Sequence, residues 1–452
     1  MTPEQRAVLD HILSRALDAV APDRAVHRHV RRDGNTLHIA GRDYDLSAHD
    51  RVYVVGAGKG AAPMAAALED ILGDRVHDGV VVVKYGHTAP LKRIALREAA
   101  HPVPDAAGER AANEILDLVR TAGPRDLVLC ALTGGASALT PALQPGITLD
   151  DMRAATTLLL ECGATIHEIN ALRKHLSAFG GGNLARAAAP AQVVSLIISD
   201  VVGDDLDVIA SGPTSPDAST YADCTSIADR FGILDRLPAP VIERLTAGLR
   251  GMAAETPKPG DPVFGAVQNC IVASNRLALE AAAEAAAAHG YRPRILTDTM
   301  TGEARVRARE LVEEATRAAV GLSHPEGPFC LLAGGETTVT ITGGGLGGRN
   351  QEMALAAAIH MDELADCPHI AMLCAGTDGT DGPTDAAGGY ASGNTLCVAR
   401  DCGVDAHGHL AANDAYNFLD RTGHLLRTGP TLTNVMDLAV LLVDAPKGKP
   451  AA

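Results

Sequence analysis

The sequence contains no tryptophan, and its aromatic residues make up only 3% of the chain. A base-stacking platform or an aromatic sugar cleft has little to be built from. No C-x-x-C pair occurs among the nine cysteines (130, 162, 224, 270, 330, 367, 374, 397 and 402), several of which sit in apolar runs. That pattern argues against a zinc site or a disulfide framework and for a reducing cytoplasm. Excess positive charge is also missing, since 39 Lys and Arg face 55 Asp and Glu, for a net charge of -16. A nucleic-acid or anionic-membrane surface is thereby disfavoured, and an anionic ligand must be held by a locally assembled site. No apolar run approaches the roughly eighteen residues of a spanning helix. The first residues, MTPEQRAVLDHILSRALDAV, mix acids with apolar side chains. They read as an amphipathic helix with Thr2 as N-cap and Pro3 in the first position, not as a signal peptide.

What is present is an alternation of short β-branched runs with Ala/Leu-rich stretches. RVYVV (51–55), GVVVV (79–83), DLVLCAL (126–132), AQVVSLIIS (191–199), NCIVAS (269–274), FCLLAG (329–334) and HIAMLCAG (369–376) read as strands. Continuous apolar strands separated by helices predict an α/β fold with parallel sheets covered on both faces. A chain of 452 residues exceeds one comfortable core, so two domains are expected. The Pro- and Gly-dense segment 251–265 is the predicted linker, dividing an N-terminal domain at 1–250 from a C-terminal one at 266–446. Gly290 is expected to close a helix over 277–290.

Nearly every strand ends in a loop rich in Gly, Ser, Thr or Asp, where open parallel sheets bind ligands. VVGAGKGAAPMA fits G-x-G-x-x-[GA] at Gly56, Gly58 and Ala61 but carries Lys59 inside the turn, and the next strand ends in Lys84 rather than an acid. NAD is disfavoured, and an anion facing glycine amides and Lys59 is expected instead. TGGASAL places Gly134, Gly135 and Ser137 after a buried strand, suited to phosphate. The stretch 167–185 sets Asn170, Arg173, Lys174 and Ser177 near one helical face, a basic surface for a carboxylate or polyphosphate. Asp200 follows a strand, where a catalytic or magnesium-linked carboxylate is expected. Asp378, Asp381 and Asp385 stand in GTDGTDGPTDAAG, which fails the EF-hand pattern but suits magnesium bound with substrate phosphates. Gly335, Glu336, the glycine-rich stretch 343–348, whose backbone is left free to approach a ligand and to move, Arg349 and Asn350 form a last loop, with Arg349 able to clamp a carboxylate or neutralise a phosphoryl group. Lys, Arg, Asp and backbone-rich turns without a His or Cys pair are the equipment of phosphoryl transfer.

Taken in order, VVGAGKGAAPMA, LTGGASAL, RKHLSAFGGGNLA, SDVVGDDLDVIASGPTSPD, GGETTVTITGGGLGGRNQE, GTDGTDGPTDAAG and TGPTLTNVMDLAVLLV resemble the class II glycerate 2-kinases, whose C-terminal part is the MOFRL domain. The resemblance implies an N-terminal Rossmann-like parallel-sheet domain, a C-terminal α/β domain with its MOFRL region at about 328–443, and an active site in the cleft between them. It implies Mg²⁺-assisted, ATP-dependent phosphorylation of D-glycerate to 2-phosphoglycerate. In that family the matching lysine and arginine are regarded as essential, here Lys59 and Arg349. Asp200 is expected to orient or deprotonate the attacking hydroxyl. Gly56, Gly58, Gly134, Gly135, Ser137, Gly335 and Glu336 are expected around the nucleotide phosphates. Asn170, Arg173, Lys174 and Asn350 are expected on the substrate, and Asp378 and Asp381 on Mg²⁺. Two positions depart from the family pattern: Gly60 follows the lysine, and Gly180 stands where a lysine is usual. Small-molecule partners alone are expected, with no nucleic acid and no membrane; a homodimer is admitted. The alternative is an NAD(P)H-dependent hydroxypyruvate reductase, resting on the Gly56–Ala61 pattern alone.

Overall fold

The computed structural model describes residues 1–320, 327–364 and 369–444; Cys367 lies outside them. Contacts divide the chain into two units, Pro22–Val272, and Met1–Ala21 with Ala273 onward. The domain boundary therefore falls later than the 251–265 segment. That segment leads into Val267–Ala273, which is hydrogen-bonded into the first unit's sheet. The N-terminal helix Pro3–Ala19 belongs with the C-terminal unit, because its apolar face packs on the helix Asn275–Ala288. Its start is as expected, with Thr2 and Gln5 forming a capping box and Pro3 at N1.

The unit Pro22–Val272 is built on six strands in the order Ala95–Ala99, Val76–Lys84, Arg51–Ala57, Asp126–Leu132, Gln192–Ile198, Val267–Ala273. The pairings among the first five are parallel. Tyr53, Val55, Val128 and Cys130 face one core with Ile115, Leu116 and Val119 of the helix Ala106–Arg120, and the alternate residues Val52, Val54, Leu127 and Leu129 are equally buried. Burial on both faces is why these strands read as unbroken apolar runs. A second core joins the helices Leu149–Glu161, Ile166–Leu176, Tyr221–Arg230 and Ala239–Leu249. Before the sheet lies a small antiparallel three-stranded sheet, Val30–Asp33, Thr36–Ile39 and Arg42–Asp45, which was not foreseen.

The other unit's sheet runs Arg292–Met300, Phe329–Gly335, Asp437–Val443, Ile370–Gly376, Gly388–Ser392, Leu425–Leu426. The runs FCLLAG and HIAMLCAG, read as parallel strands, stand here in a mixed sheet of an α/β unit. Asp437–Val443 inserts antiparallel to both of its neighbours, with Leu331 opposite Leu441 and Leu373 opposite Val440. It is reached from Leu425–Leu426 by a loop rather than a crossover helix. No helix among the described residues is long and apolar enough to cross a membrane.

Candidate functional site

In the first unit, the strand Arg51–Ala57 turns through Gly58–Gly60 into the helix Ala61–Leu72. The turn's amides do not face outward as an anion cradle. Gly58 N–H donates to the Val82 carbonyl at 3.1 Å, Lys59 N–H to the Gly134 carbonyl at 3.0 Å and Gly60 N–H to Thr133 Oγ1 at 3.0 Å. Gly58 has φ +131°, and a Cβ there would lie 2.0 Å from Thr133 Oγ1; a Cβ on Gly56 would lie 2.4 Å from the Ala131 carbonyl oxygen. Both glycines, expected to touch phosphate, instead allow two strand ends to meet. The turn thus presents the Lys59 side chain rather than its backbone.

That close approach sets Lys59 beside the second turn. Gly135 adopts φ +87°, and a Cβ there would stand 3.6 Å from Lys59 Cγ and 3.1 Å from His101 Nε2. On the neighbouring glycine, a Cβ on Gly134 would fall 2.0 Å from Asp200 Oδ2. The amides of Gly134 and Gly135 have no acceptor among the described residues. Ser137 Oγ lies 2.7 Å from Ser211 Oγ. Lys59, Gly134, Gly135, Ser137 and Asp200 are therefore brought together as expected. His101 joins them although the sequence reading passed over it. Burial, with Lys59, Lys84 and His87 nearby, lowers its pKa to about 4, so the imidazole is neutral at ordinary pH.

The helix Ile166–Leu176 begins at Thr165, whose capping box with Glu168 fixes the first turn. Its basic residues part company. Arg173 is half-buried, lines a pocket with Ser137, Ser177, Gly180, Ser211 and Met152, and has no hydrogen bond or ion pair among the described residues. Burial lowers the pKa of this guanidinium. Lys174 was expected on the substrate, but its ammonium is buried against Asp207 at 3.0 Å and Asp217 at 3.5 Å. Asp217 also accepts from Ser219 N–H, Ser219 Oγ and Thr256 Oγ1. Burial raises the Asp217 pKa, but Lys174 and these hydroxyls more than offset it, leaving the carboxyl below its usual range. Lys174 thus fills a structural role. Asn170 is buried on the same helix. Ser177 closes a local turn, its hydroxyl accepting from Phe179 and Gly180 N–H, and Gly180 lies on the pocket wall.

In the other unit, Arg349 opens the helix Arg349–Glu363. Its guanidinium grips Asp437 bidentately, Nε to Oδ2 at 2.6 Å and Nη2 to Oδ1 at 3.0 Å, and reaches Glu336 Oε1 at 3.0 Å through Nη1. Burial lowers the Arg349 pKa, yet the two acids outweigh it and hold the charge firmly. Asp437, at the start of the central antiparallel strand, is 1% exposed. Burial raises its pKa against the pull of Arg349 and Asn350. A lone acid opening the run DLAVLLV was the signal available in sequence.

Three expectations in this unit are revised. Asn350, expected on the substrate, is buried, and its Nδ2 bridges Asp437 Oδ1 at 2.9 Å and Asp381 Oδ1 at 3.2 Å. Asp381, expected on Mg²⁺, caps the helix: Oδ1 accepts from Asn350 N–H and Oδ2 from Gln351 N–H at 2.8 Å. Burial pushes its pKa up to about 6 while these amides hold it down. The glycine-rich loop is also less free than expected, since Thr342 and Gly343 N–H donate to Asn413 Oδ1 and Leu346 N–H to Asp414 Oδ1. Asp378 Oδ1 accepts from Thr380 N–H and Oγ1 in an Asx turn. Asp385 pairs with Tyr416 and Arg427. Gly335 lies against the backbone of Met300, whose carbonyl takes the Glu336 N–H at 2.8 Å. No group of three or more His, Cys, Asp or Glu among the described residues is arranged to hold a metal ion.

Comparison with known proteins covers almost the whole chain. Residues 8–246 match a domain of unknown function, DUF4147, and residues 329–437 match the MOFRL family. A glycerate 2-kinase from Pyrococcus horikoshii is 41% identical over 440 residues, 97% of each chain. A D-glycerate 2-kinase from Thermotoga maritima is 39% identical over 96% of this chain and 97% of its own. The crystal structure of a glycerate kinase from Thermotoga maritima superposes with a TM-score of 0.86 at 37% identity, covering 98% of this chain and all of that one.

Proposed function

The chain belongs to the glycerate 2-kinase family, and from that premise we propose that it transfers the γ-phosphoryl group of Mg·ATP to the 2-hydroxyl of D-glycerate. The observation that supports this most directly is Arg173: a half-buried guanidinium with no protein partner among the described residues, in a pocket with Ser137 and Ser211. Such a group suits a small carboxylate, which it can hold bidentately. Arg173 grips the glycerate carboxylate in this reading, and the Ser137–Ser211 pair accommodates a hydroxyl. The Gly134 and Gly135 amides meet phosphate oxygens, and Lys59 balances the charge that develops on the transferred group. Asp200, against Gly134, orients the attacking hydroxyl.

In the other unit Arg349, held in a defined rotamer by Asp437 and Glu336, is the basic group proposed to meet an anion. Mg²⁺ enters with ATP, and Asp378 is the acid proposed to meet it, Asp381 being occupied at the helix terminus. The free cysteines suit work in a reducing cytoplasm. Hydroxypyruvate reduction gains no support from the Lys59 turn. A dinucleotide needs its amides outward and an acid at the next strand end; here the amides bind protein and Lys84 ends the strand.

The test incubates purified protein with D-glycerate, ATP and Mg²⁺, follows ADP release, and identifies the phosphoglycerate isomer by ³¹P NMR, with hydroxypyruvate and NAD(P)H in parallel. Glycerate-dependent ADP release with a 2-phosphoglycerate signal is expected; oxidation of NAD(P)H without ADP release would overturn the reading. Arg173→Gln is expected to raise KM for glycerate about 10²-fold while KM for ATP holds, since a charged hydrogen-bonding partner is lost.

A further inference from the structure

A further ionisable side chain stands at the Gly134–Gly135 turn. His101 packs on Gly135 from the side that Lys59 occupies, within 3.1 Å of where a Cβ would stand. Neither ring nitrogen is hydrogen-bonded among the described residues, and the ring is half-buried. The charged groups that influence it are Lys59 on the turn and Lys84 and His87 at the end of the strand Val76–Lys84. Asp200 lies against the neighbouring Gly134. An imidazole with no hydrogen bond among the described residues thus stands beside both the Lys59 side chain and the Gly135 turn.

We propose that His101 is the proton acceptor of the phosphoryl-transfer step and that phosphate binding at the adjacent turns strengthens it as a base. The proposal rests on the reading that nucleotide phosphates occupy these turns. In the step, the substrate hydroxyl oxygen forms a bond to the γ-phosphorus and its proton passes to an imidazole nitrogen of His101. The bond from phosphorus to the bridging oxygen breaks, its electron pair leaves with ADP, and the imidazolium then returns its proton to solvent. Asp200 holds the hydroxyl in line without taking the proton.

The physical basis is a change of neighbours. In the free protein burial, together with the positive charge of the neighbouring Lys59 and Lys84, keeps the ring unprotonated and weakly basic. Polyphosphate placed beside Lys59 cancels much of that positive field, so the ring's affinity for a proton rises toward the ordinary imidazole range as substrate arrives. A base with a pKa nearer the working pH is a more efficient one. The same charge that Lys59 holds for transfer therefore sets the base.

Isothermal titration of the Mg²⁺ complex of the β,γ-imido analogue of ATP, at pH 5.5 in two buffers of different ionisation enthalpy, measures the protons taken up on binding. The wild type is expected to take up roughly half to one proton more than His101→Asn, because a ring moving from about 4 toward ~6.5 is protonated on binding at that pH. Equal uptake by two proteins that both bind would overturn the assignment. Absence of binding by the wild type would instead overturn the phosphate reading of the turns, and the assignment with it. If His101→Asn does not fold, the wild-type His101 ring-proton NMR titration gives the answer, identified with His101→Gln. An unchanged midpoint on nucleotide saturation refutes the proposal; a rise of a unit or more supports it. Asp200→Asn is expected to keep the extra proton uptake.

Discussion

Replacing Lys174 by methionine separates two readings of the helix Ile166–Leu176. If Lys174 bound substrate, the variant would keep its stability and lose affinity for glycerate. The geometry points the other way. The Lys174 side chain is 4% exposed, and its ammonium offsets Asp217, which is 2% exposed. Removing one partner of a buried pair costs about 3–5 kcal/mol because the other charge is stranded. Asp217 keeps its bonds from Ser219 and Thr256, and Asp207, at 45% exposure, returns to water easily, so a value near the low end, about 3 kcal/mol, is expected. For a unit of this size that lowers Tm by roughly 6–12 °C.

The pH dependence carries a sign. In the wild type the Asp217 pKa is depressed, so its contribution is present above the ordinary carboxylate range and is lost as pH falls through the lowered value. Without Lys174, burial becomes the dominant influence and the pKa rises. The carboxylate then destabilises the fold at neutral pH and ceases to do so once protonated. The deficit of Lys174→Met is accordingly largest near pH 7 and shrinks toward pH 4, read by differential scanning calorimetry at both values. Asp217→Asn added to Lys174→Met should recover part of the loss. A wild-type Tm together with a raised glycerate KM would refute the reasoning.

Lys59→Met should lower kcat about 10³-fold, because the side chain acts on the transferred group; a kcat close to that of the wild type would contradict it. Arg349→Met should lose activity and also destabilise its unit by about 3–5 kcal/mol, since Asp437 is left buried without its partner, and Asp437→Asn in the same protein should restore stability but not kcat. Asp381 has a folded pKa raised to about 6, so its contribution to stability is fully present below the unfolded value and is lost as pH rises through 6. The stability of wild type relative to Asp381→Asn should thus fall by about 2 kcal/mol between pH 4.5 and 7.5, measured by denaturant titration; a difference independent of pH would contradict it.

The local order of the chain could be read directly. Strands buried on both faces announce themselves as apolar runs, and capping boxes at Thr2, Thr148, Thr165 and Thr220 mark helix starts within four residues of sequence. Lys59 and Arg349 stood out because a charge inside a glycine turn is rare without a task. Gly290, closing the helix Asn275–Ala288 with φ +83°, was as legible.

What could not be read were the partners, because partners lie far apart along the chain. Arg173 and Lys174 are neighbours with the same charge. One faces a pocket and the other a buried acid only because the helix turns about 100° per residue and Asp217 packs beneath one of those faces. The amides of the Lys59 turn were expected to face a ligand, and they bind Val82, Thr133 and Gly134 because strands distant in sequence are adjacent in the sheet. The mixed sheet depends on where the last strand inserts, and that insertion buries Asp437 beneath Arg349. His101 had no motif to mark it and gains meaning from Gly135 alone. Sequence by itself determined the buried apolar strands, the α/β character of the chain and the charged groups suited to phosphoryl transfer, since each follows from propensity and pattern over a few residues. Tertiary structure alone decided which of those groups are occupied by the protein and which remain for a ligand, since that depends on distances the chain sets only once it has folded.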